Sequence, residues 1–145
     1  MKRLVSTAVF LTILVSGCHT TDIKEPRPVD YVVSKIGGGW KVSSVERDGA
    51  NQPDYAGAAM VFSANLSDDL VHYVSSGMPS GSPWAKTGTL TLGNDINSQL
   101  ILVSPETNIT YIVSETQLQL SLIYDGAPWN FTFTKQSGGG PTQSV

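Results

Sequence analysis

Period-two alternation of apolar and polar residues is the feature that most constrains this chain. The alternation is clearest at the end of the chain, where Leu118, Leu120, Leu122 and Tyr124 fall on every second position. Successive side chains of a β-strand point to opposite faces, so this pattern predicts a strand with one buried face. Similar runs recur after Gly39, and no helical period of useful length interrupts them. The sequence therefore predicts an all-β domain.

Eight candidate strands follow one another, and turn-forming residues separate them. The strands are predicted at 40–45, 58–64, 70–75, 84–92, 99–103, 108–113, 118–124 and 129–133. The pairs Asp48-Gly49 and Asp125-Gly126 suit the positive φ angles of tight hairpins. Short links and no crossover helices favour an antiparallel meander. Eight such strands close into an up-and-down barrel, which has no exposed sheet edges.

The N-terminal stretch has the pattern of a secretory signal peptide. Lys2 and Arg3 precede an apolar run of about a dozen residues, too short for the roughly 20 that span a bilayer, and small residues follow. The closing Val15-Ser16-Gly17-Cys18 resembles a bacterial lipobox. In that family the cysteine carries three acyl chains and becomes the first residue of the mature protein. Cys18 is the single cysteine of the sequence, so lipidation also accounts for an otherwise unpaired thiol.

The predicted organisation has four parts. A lipoprotein signal peptide covers 1–17, a tether 18–36, the barrel domain 37–136 and a disordered Gly/Ser tail 137–145. Within the tether, Val29 to Ile36 is the first stretch that could form a short helix or turn, because Val32, Val33 and Ile36 fall at helical spacing. In the first strand, strict alternation places Trp40, Val42 and Ser44 on one face and Val45 on the other.

The start of that strand resembles the lipocalin family. Lipocalins begin their first strand with Gly-x-Trp, as in Gly38-Gly39-Trp40 here. The resemblance extends through Asp48-Gly49, Phe62-Ser63, Tyr111 to Val113 and Leu118 to Leu120, a pattern similar to the lipocalin-like domains of small bacterial lipoproteins. It implies that Trp40 plugs the closed end of the barrel beneath Lys135 at the end of the last strand. It also implies a lipocalin-like fold.

The opposite end of the barrel holds the candidate ligand residues. The loop 75–84 contains two prolines and two glycines, and long loops at a barrel mouth often bind ligands. Tyr55, Met78, Trp84 and Trp129 are predicted to form an aromatic rim for a small apolar or sugar ligand, although Trp84 could instead belong to the core. An apolar or mixed ligand is expected, because the residues predicted to face the interior are apolar. These are Leu90, Leu92, Tyr111, Leu118, Leu120, Phe131 and Phe133.

Several functions are disfavoured by composition. Of nine Lys and Arg, two lie in the leader, whereas all twelve Asp and Glu follow it, so the mature chain is acidic and lacks the basic patch that nucleic acids require. With two His and one Cys, no metal site is predicted, and no cofactor is expected. His72 has acidic and hydroxyl neighbours in sequence but no hydrolase motif surrounds it. An enzyme that uses His72 is the weakest alternative.

The leading expectation is a non-enzymatic, membrane-anchored lipocalin-like lipoprotein that binds a small ligand in the cell envelope. Lipidated Cys18 makes the membrane its partner, and outer-membrane localisation is favoured because the domain resembles those of outer-envelope lipoproteins. The main alternative is a protein-interaction or inhibitor module with a filled barrel, acting through loops such as 75–82. The protein partner that such a module would bind is not defined by the sequence.

Overall fold

A computed structural model describes residues 26–137 of the chain. One α-helix and nine strands form in this region, together with one turn of 3₁₀ helix at Pro53–Tyr55. The helix is α1 (Pro28–Ile36), and the strands are β1 (Gly38–Arg47), β2 (Ala50–Asn51), β3 (Ala59–Ala64), β4 (Val71–Ser76), β5 (Thr87–Leu92), β6 (Gln99–Val103), β7 (Glu106–Val113), β8 (Gln117–Tyr124) and β9 (Ala127–Lys135). The predicted signal peptide, Cys18 and most of the predicted tail lie outside the described residues.

The strands form a closed antiparallel barrel of eight strands, and the predicted fold class is confirmed. From β3 to β9 each strand pairs with the next, while β1 pairs with both β3 and β9 and closes the barrel. The two-residue β2 adds a short hairpin to the end of β1. This is the up-and-down arrangement of a lipocalin-like barrel, in which closure satisfies the backbone groups that an open sheet leaves unpaired at its edges.

Two Asp-Gly hairpins lie at one end of this barrel, as the sequence predicted. Asp48 and Gly49 have φ angles of 51° and 76°, and Asp125 and Gly126 have 51° and 71°. A two-residue turn with positive φ at both central residues has a twist that matches the twist of the two strands it joins. These turns join β1 to β2 and β8 to β9, so they place both hairpins at the barrel mouth.

A β-bulge in β1 corrects the alternation predicted for the first strand. Val42 pairs with Phe133 and Ser44 with Thr132, so one extra residue, Ser43, interrupts the ladder. Trp40, Val42 and Val45 are buried as a result, whereas Ser44 is exposed. An inserted residue shifts the strand by one position and exchanges the faces of everything beyond it. Val45 therefore points inward instead of outward.

The interior of the barrel is filled by its own side chains. All seven residues predicted to face a ligand inside the barrel belong to one continuous apolar core, with Leu92 half-buried and the others at 0–1% exposure. Trp129 and Phe131 stack along β9 at 5.8 Å between ring centroids, and Phe131 and Phe133 continue the stack at 6.2 Å. Barrels of eight strands are narrow enough to be filled in this way. These side chains pack against one another, so the expectation that they contact a ligand is not supported.

Helix α1 covers the closed end. Pro28 at its first turn and a capping interaction, in which the Arg27 N–H donates to Asp30, start the helix. Val29, Val32 and Ile36 are buried, so α1 packs into the core and the packed domain begins before the predicted boundary at Gly37. The short helix predicted within the tether is thus observed, from Pro28 to Ile36.

Trp40 lies beneath this helix and is fully buried. Its Nε1 donates a hydrogen bond of 2.7 Å to the carbonyl oxygen of Ile36, one of the last carbonyls of α1. The Nζ of Lys135 lies 5.7 Å from the centroid of the Trp40 ring. The indole therefore connects β1 to the helix, because it donates to a carbonyl that the helix itself leaves unpaired. Its contact with Lys135 brings the end of β9 to the same place.

Candidate functional site

The barrel mouth lies at the end opposite helix α1. The two Asp-Gly hairpins, the 3₁₀ turn Pro53–Tyr55 and the loop between β4 and β5 all meet there. Strand β5 begins at Thr87 rather than at the predicted residue 84, so Trp84 belongs to that loop. The loop folds back over the mouth, because Met78 is half-buried against the core and Trp84 is 4% exposed. Gly77, Ser80 and Gly81 of the same loop stay exposed.

Aromatic rings close the interior below the mouth. Phe131 is at the centre of the group, and Tyr55 and Trp84 meet it edge-on at centroid distances of 5.5 Å and 5.8 Å. Tyr55 also lies 5.9 Å from Trp129. Edge-to-face arrangements of this kind are favourable for aromatic pairs. The rings predicted to form a rim are thus mostly buried beneath the mouth.

A pocket of about 270 Å³ remains above these rings. Its walls come from the two hairpins, the 3₁₀ turn and the β4–β5 loop: Arg47, Gln52, Asp54, Tyr55, Pro79, Ser80, Gly81, Tyr124, Asp125 and Trp129. Two of the four predicted ligand residues, Tyr55 and Trp129, line this pocket. Met78 and Trp84 are not among its walls, and Trp84 is a core residue, as the sequence left open.

Arg47 is one of several residues of this site, with Asp54 and Tyr124, that the sequence did not reveal. It pairs across the sheet with Trp129, and its guanidinium carbon lies 5.5 Å from the centroid of the Trp129 ring. This distance is within the range of a cation–π contact. Without the bulge at Ser43, strict alternation would turn Arg47 away from Trp129. The apolar residue Val45, out of phase with Val42, was the one signal of the bulge.

The pocket combines apolar surface with charges of both signs. Tyr124 and the edges of Tyr55 and Trp129 supply aromatic surface, while Arg47, Asp54 and Asp125 supply a guanidinium and two carboxylates. Burial raises the pKa of Tyr55, so its hydroxyl stays neutral. Such a mixture can hold a small ligand that has one flat apolar face and polar groups around it.

Trp84 has a separate peculiarity. Its Nε1 is buried, and among residues 26–137 it finds no hydrogen-bond acceptor. The ring is held edge-on against Tyr73 at 5.5 Å and against Phe131. A buried N–H without a partner costs free energy, so packing alone keeps this indole in place.

Two larger depressions are open grooves on the outside of the molecule. One of about 500 Å³ runs along the outer wall of β7, β8 and β9, and one of about 640 Å³ lies at the closed end beside Lys35 and Lys135. Both are lined by a mixture of polar and apolar side chains of neighbouring strands and turns. The first has one charged side chain, Glu106. The second has Lys35, Lys135 and Glu115, but its one aromatic residue, Tyr111, is 1% exposed and offers a ligand no ring surface.

His72 lies on the outer wall of β4 and is half-buried. Its Nε2 is 2.9 Å from the Asp68 carboxylate and 3.2 Å from the Asn65 amide. The backbone N–H of Leu70, and then His72, lower the pKa of Asp68. Ser75, one of the neighbouring hydroxyls in sequence, is buried inside the barrel and donates to the Ala85 carbonyl. The strand thus separates this hydroxyl from His72 instead of bringing the two together.

The described region offers no cluster of three or more His, Cys, Asp or Glu side chains placed to hold a metal ion. Within the same residues, α1 is far too short to cross a bilayer, and no other helix is long and apolar enough to do so. Comparison with known proteins gave no significant match to any family model, curated protein or solved structure.

Proposed function

We propose that this chain is a lipid-anchored, lipocalin-like envelope protein without enzymatic activity, which binds a small ligand of mixed polarity in the pocket at the barrel mouth. The observation that carries the proposal is the position of Arg47 over Trp129, beside Asp54 and Asp125 and above buried aromatic rings. A guanidinium and carboxylates around an aromatic surface provide both stacking and directional hydrogen bonds.

The filled interior supports the mouth, and not the inside of the barrel, as the proposed ligand site. The rings of Tyr55, Trp84, Trp129 and Phe131 close the barrel below the pocket. A ligand that entered the interior would have to displace several buried aromatic side chains. The mouth needs no such rearrangement, since its polar side chains are already at the surface.

The dimensions of the pocket favour a compact ligand. Its volume of about 270 Å³ falls just below the usual range of about 300–1,000 Å³ for small-molecule sites. A single sugar ring has the right character, because one face is apolar and its edge carries hydroxyl groups. The pocket therefore supports a mixed ligand better than the purely apolar one that the inward-facing residues suggested.

Anchoring of the protein rests on the sequence. The charged, apolar and small segments before Cys18 support export and lipidation, and multiple acyl chains give stable membrane attachment. The resemblance to small bacterial lipoproteins supports the outer membrane as the site of attachment. The acidic balance of the mature chain argues against nucleic acid as a partner.

Native mass spectrometry of the full-length protein, purified from membranes of its own host, tests this proposal. We expect a small molecule to remain bound to the natural protein and to be lost from Arg47→Ala. Loss of a charge-assisted hydrogen bond of roughly 1.5–3 kcal/mol corresponds to a weakening of about 10- to 150-fold. Lys86→Ala is the matched control, since Lys86 is exposed and is not part of the pocket wall.

Two outcomes would contradict ligand binding at the mouth. One is retention of the same molecule by Arg47→Ala, and the other is a protein mass without any adduct even when envelope sugars and lipids are added. The filled interior then favours the main alternative, a protein-interaction module. Cross-linking in intact cells would test that alternative through capture of one specific envelope protein.

A further inference from the structure

The turn between β3 and β4 carries an apolar side chain in full contact with solvent. Leu66 is 96% exposed, whereas the next most exposed large apolar side chain among residues 26–137, Ile123, is 69% exposed. A single exposed leucine is common on protein surfaces and requires no explanation by itself. The position of Leu66 near the beginning of the described chain is what suggests a role for its exposure.

Arg27 attaches the beginning of the described chain to this same turn. Its guanidinium donates to the backbone carbonyl oxygens of Asn65, at 2.8 Å, and Asp68, at 2.6 Å. It also pairs with Asp30 at 2.9 Å and lies 3.5 Å from Asp69. These contacts hold Arg27, the second described residue, against the backbone of the turn that carries Leu66.

The covalent length of the preceding segment limits how far the turn can lie from Cys18. Eight residue steps separate Cys18 from Pro26, and a fully extended chain spans at most about 3.6 Å per residue, or roughly 30 Å in total. If Cys18 is embedded in a bilayer, the closed end of the barrel is therefore held within a few nanometres of the lipid. The mouth lies at the far end of the barrel.

We propose that the β3–β4 turn is a membrane-contact element, in which Leu66 inserts into the interface of the phospholipid bilayer that holds Cys18. This inference rests on the lipid anchor of the proposed function. Tyr31 on α1, 41% exposed, lies at the same end and is of a residue type suited to the interface. Contact there directs the mouth pocket away from the bilayer, where it is open to ligands from the aqueous side.

The charges beside Leu66 are compatible with a zwitterionic lipid surface. Asp30 and Asp69 share one cation, Arg27, and Asp68 contacts His72, which is charged only when it is protonated. The turn therefore has an acidic balance, which suits a neutral, zwitterionic surface better than an anionic one. A weak apolar contact also suffices, because the anchor confines the turn near the lipid and raises its effective concentration.

A fluorescent label at position 66 tests the proposal with the full-length lipidated protein. Lipidation occupies Cys18, so Leu66→Cys introduces the one thiol that a polarity-sensitive fluorophore can modify. Ile123→Cys is the matched control, since Ile123 is also exposed but lies at the mouth end of β8. Both labelled proteins are reconstituted into phosphatidylcholine vesicles, with and without spin-labelled lipids that quench fluorescence on contact.

We expect blue-shifted emission and at least twofold quenching by spin-labelled lipid at position 66, and neither effect at position 123. Vesicle flotation and the mass of the N-terminal peptide report on the anchor independently. A protein that floats and carries lipid at Cys18, yet shows aqueous emission at position 66, would overturn the contact while leaving the anchor intact. A protein that neither floats nor carries lipid would overturn both the anchor and the contact that depends on it.

Discussion

Two buried tryptophans of this barrel should respond differently to the same substitution. Trp40 donates its Nε1 hydrogen to the Ile36 carbonyl at 2.7 Å, whereas the Nε1 of Trp84 has no acceptor among residues 26–137. Both side chains are nearly inaccessible, at 0% and 4% exposure. Trp40→Phe and Trp84→Phe therefore remove similar amounts of buried surface. The difference between the two variants combines loss of the Trp40 hydrogen bond with removal of the unpaired N–H of Trp84.

The expected magnitudes follow from these contacts. If each substitution leaves roughly 40 Å³ unfilled, the cavity costs about 1 kcal/mol at about 24 cal/mol per Å³. Trp40→Phe also leaves the Ile36 carbonyl buried and unpaired, which adds about 1–3 kcal/mol. Trp84→Phe instead removes an unpaired N–H, and relief of a similar penalty offsets its cavity. We expect Trp40→Phe to be less stable than Trp84→Phe by about 2–4 kcal/mol.

Urea unfolding followed by far-ultraviolet circular dichroism measures this difference without use of the tryptophan fluorescence that the variants change. Equal slopes with denaturant are required, so that a change in midpoint reports a change in stability. Equal destabilisation of the two variants, or greater destabilisation of Trp84→Phe, would refute the reasoning. The hydrogen bond from Trp40 to α1 would then contribute nothing measurable to the free energy of unfolding.

Two further substitutions test the packing of the wall and the attachment of α1. A Cβ at Gly88 would lie 2.5 Å from the ring of buried Tyr73, so Gly88→Ala should destabilise the barrel by about 1–3 kcal/mol in the same urea assay, and an unchanged midpoint would show that the ring can move aside. The hydrogen bond from Arg27 lowers the pKa of Asp30, so its contribution to stability is present above the unfolded value of 3.8 and is lost as the pH falls through the folded value. Asp30→Asn should therefore have a lower urea midpoint than the natural chain at pH 7, and this difference should shrink as the pH is lowered below 3.8. A difference that does not change with pH would contradict this assignment.

The barrel could be predicted because its strands obey local rules. In β8, Leu118, Leu120 and Leu122 face the core as the alternation requires, and Asp125-Gly126 adopts the turn that its residue types favour. Local sequence also determines that neighbouring strands are antiparallel, since the links are too short for crossovers. The burial of Trp40 is expected on a different ground, because the resemblance of Gly38-Gly39-Trp40 to the lipocalin pattern implies it.

The filling of the interior could not be predicted from the same pattern. Alternation shows which side chains point inward, but it does not show whether they meet one another or leave space for a ligand. That depends on how loops close the two ends, and Trp84 illustrates the difficulty. It lies outside any strand, yet its ring enters the core between Tyr73 and Phe131. No periodicity marks a residue that reaches the core from a loop.

The mouth pocket depends on a similar long-range effect, because a single inserted residue determines what faces Trp129. Up to Val42 the first strand follows strict alternation, and Ser43 then displaces the register against β9 by one position. The Ser43 hydroxyl donates to the Thr132 carbonyl at 3.0 Å, which gives the interrupted ladder an additional partner. Beyond this point Val45 enters the core and Arg47 reaches the Trp129 ring, whereas Glu46 turns outward. In an unbulged strand Glu46 would face the ring and Arg47 the solvent, so the bulge determines that the charge over the aromatic surface is positive.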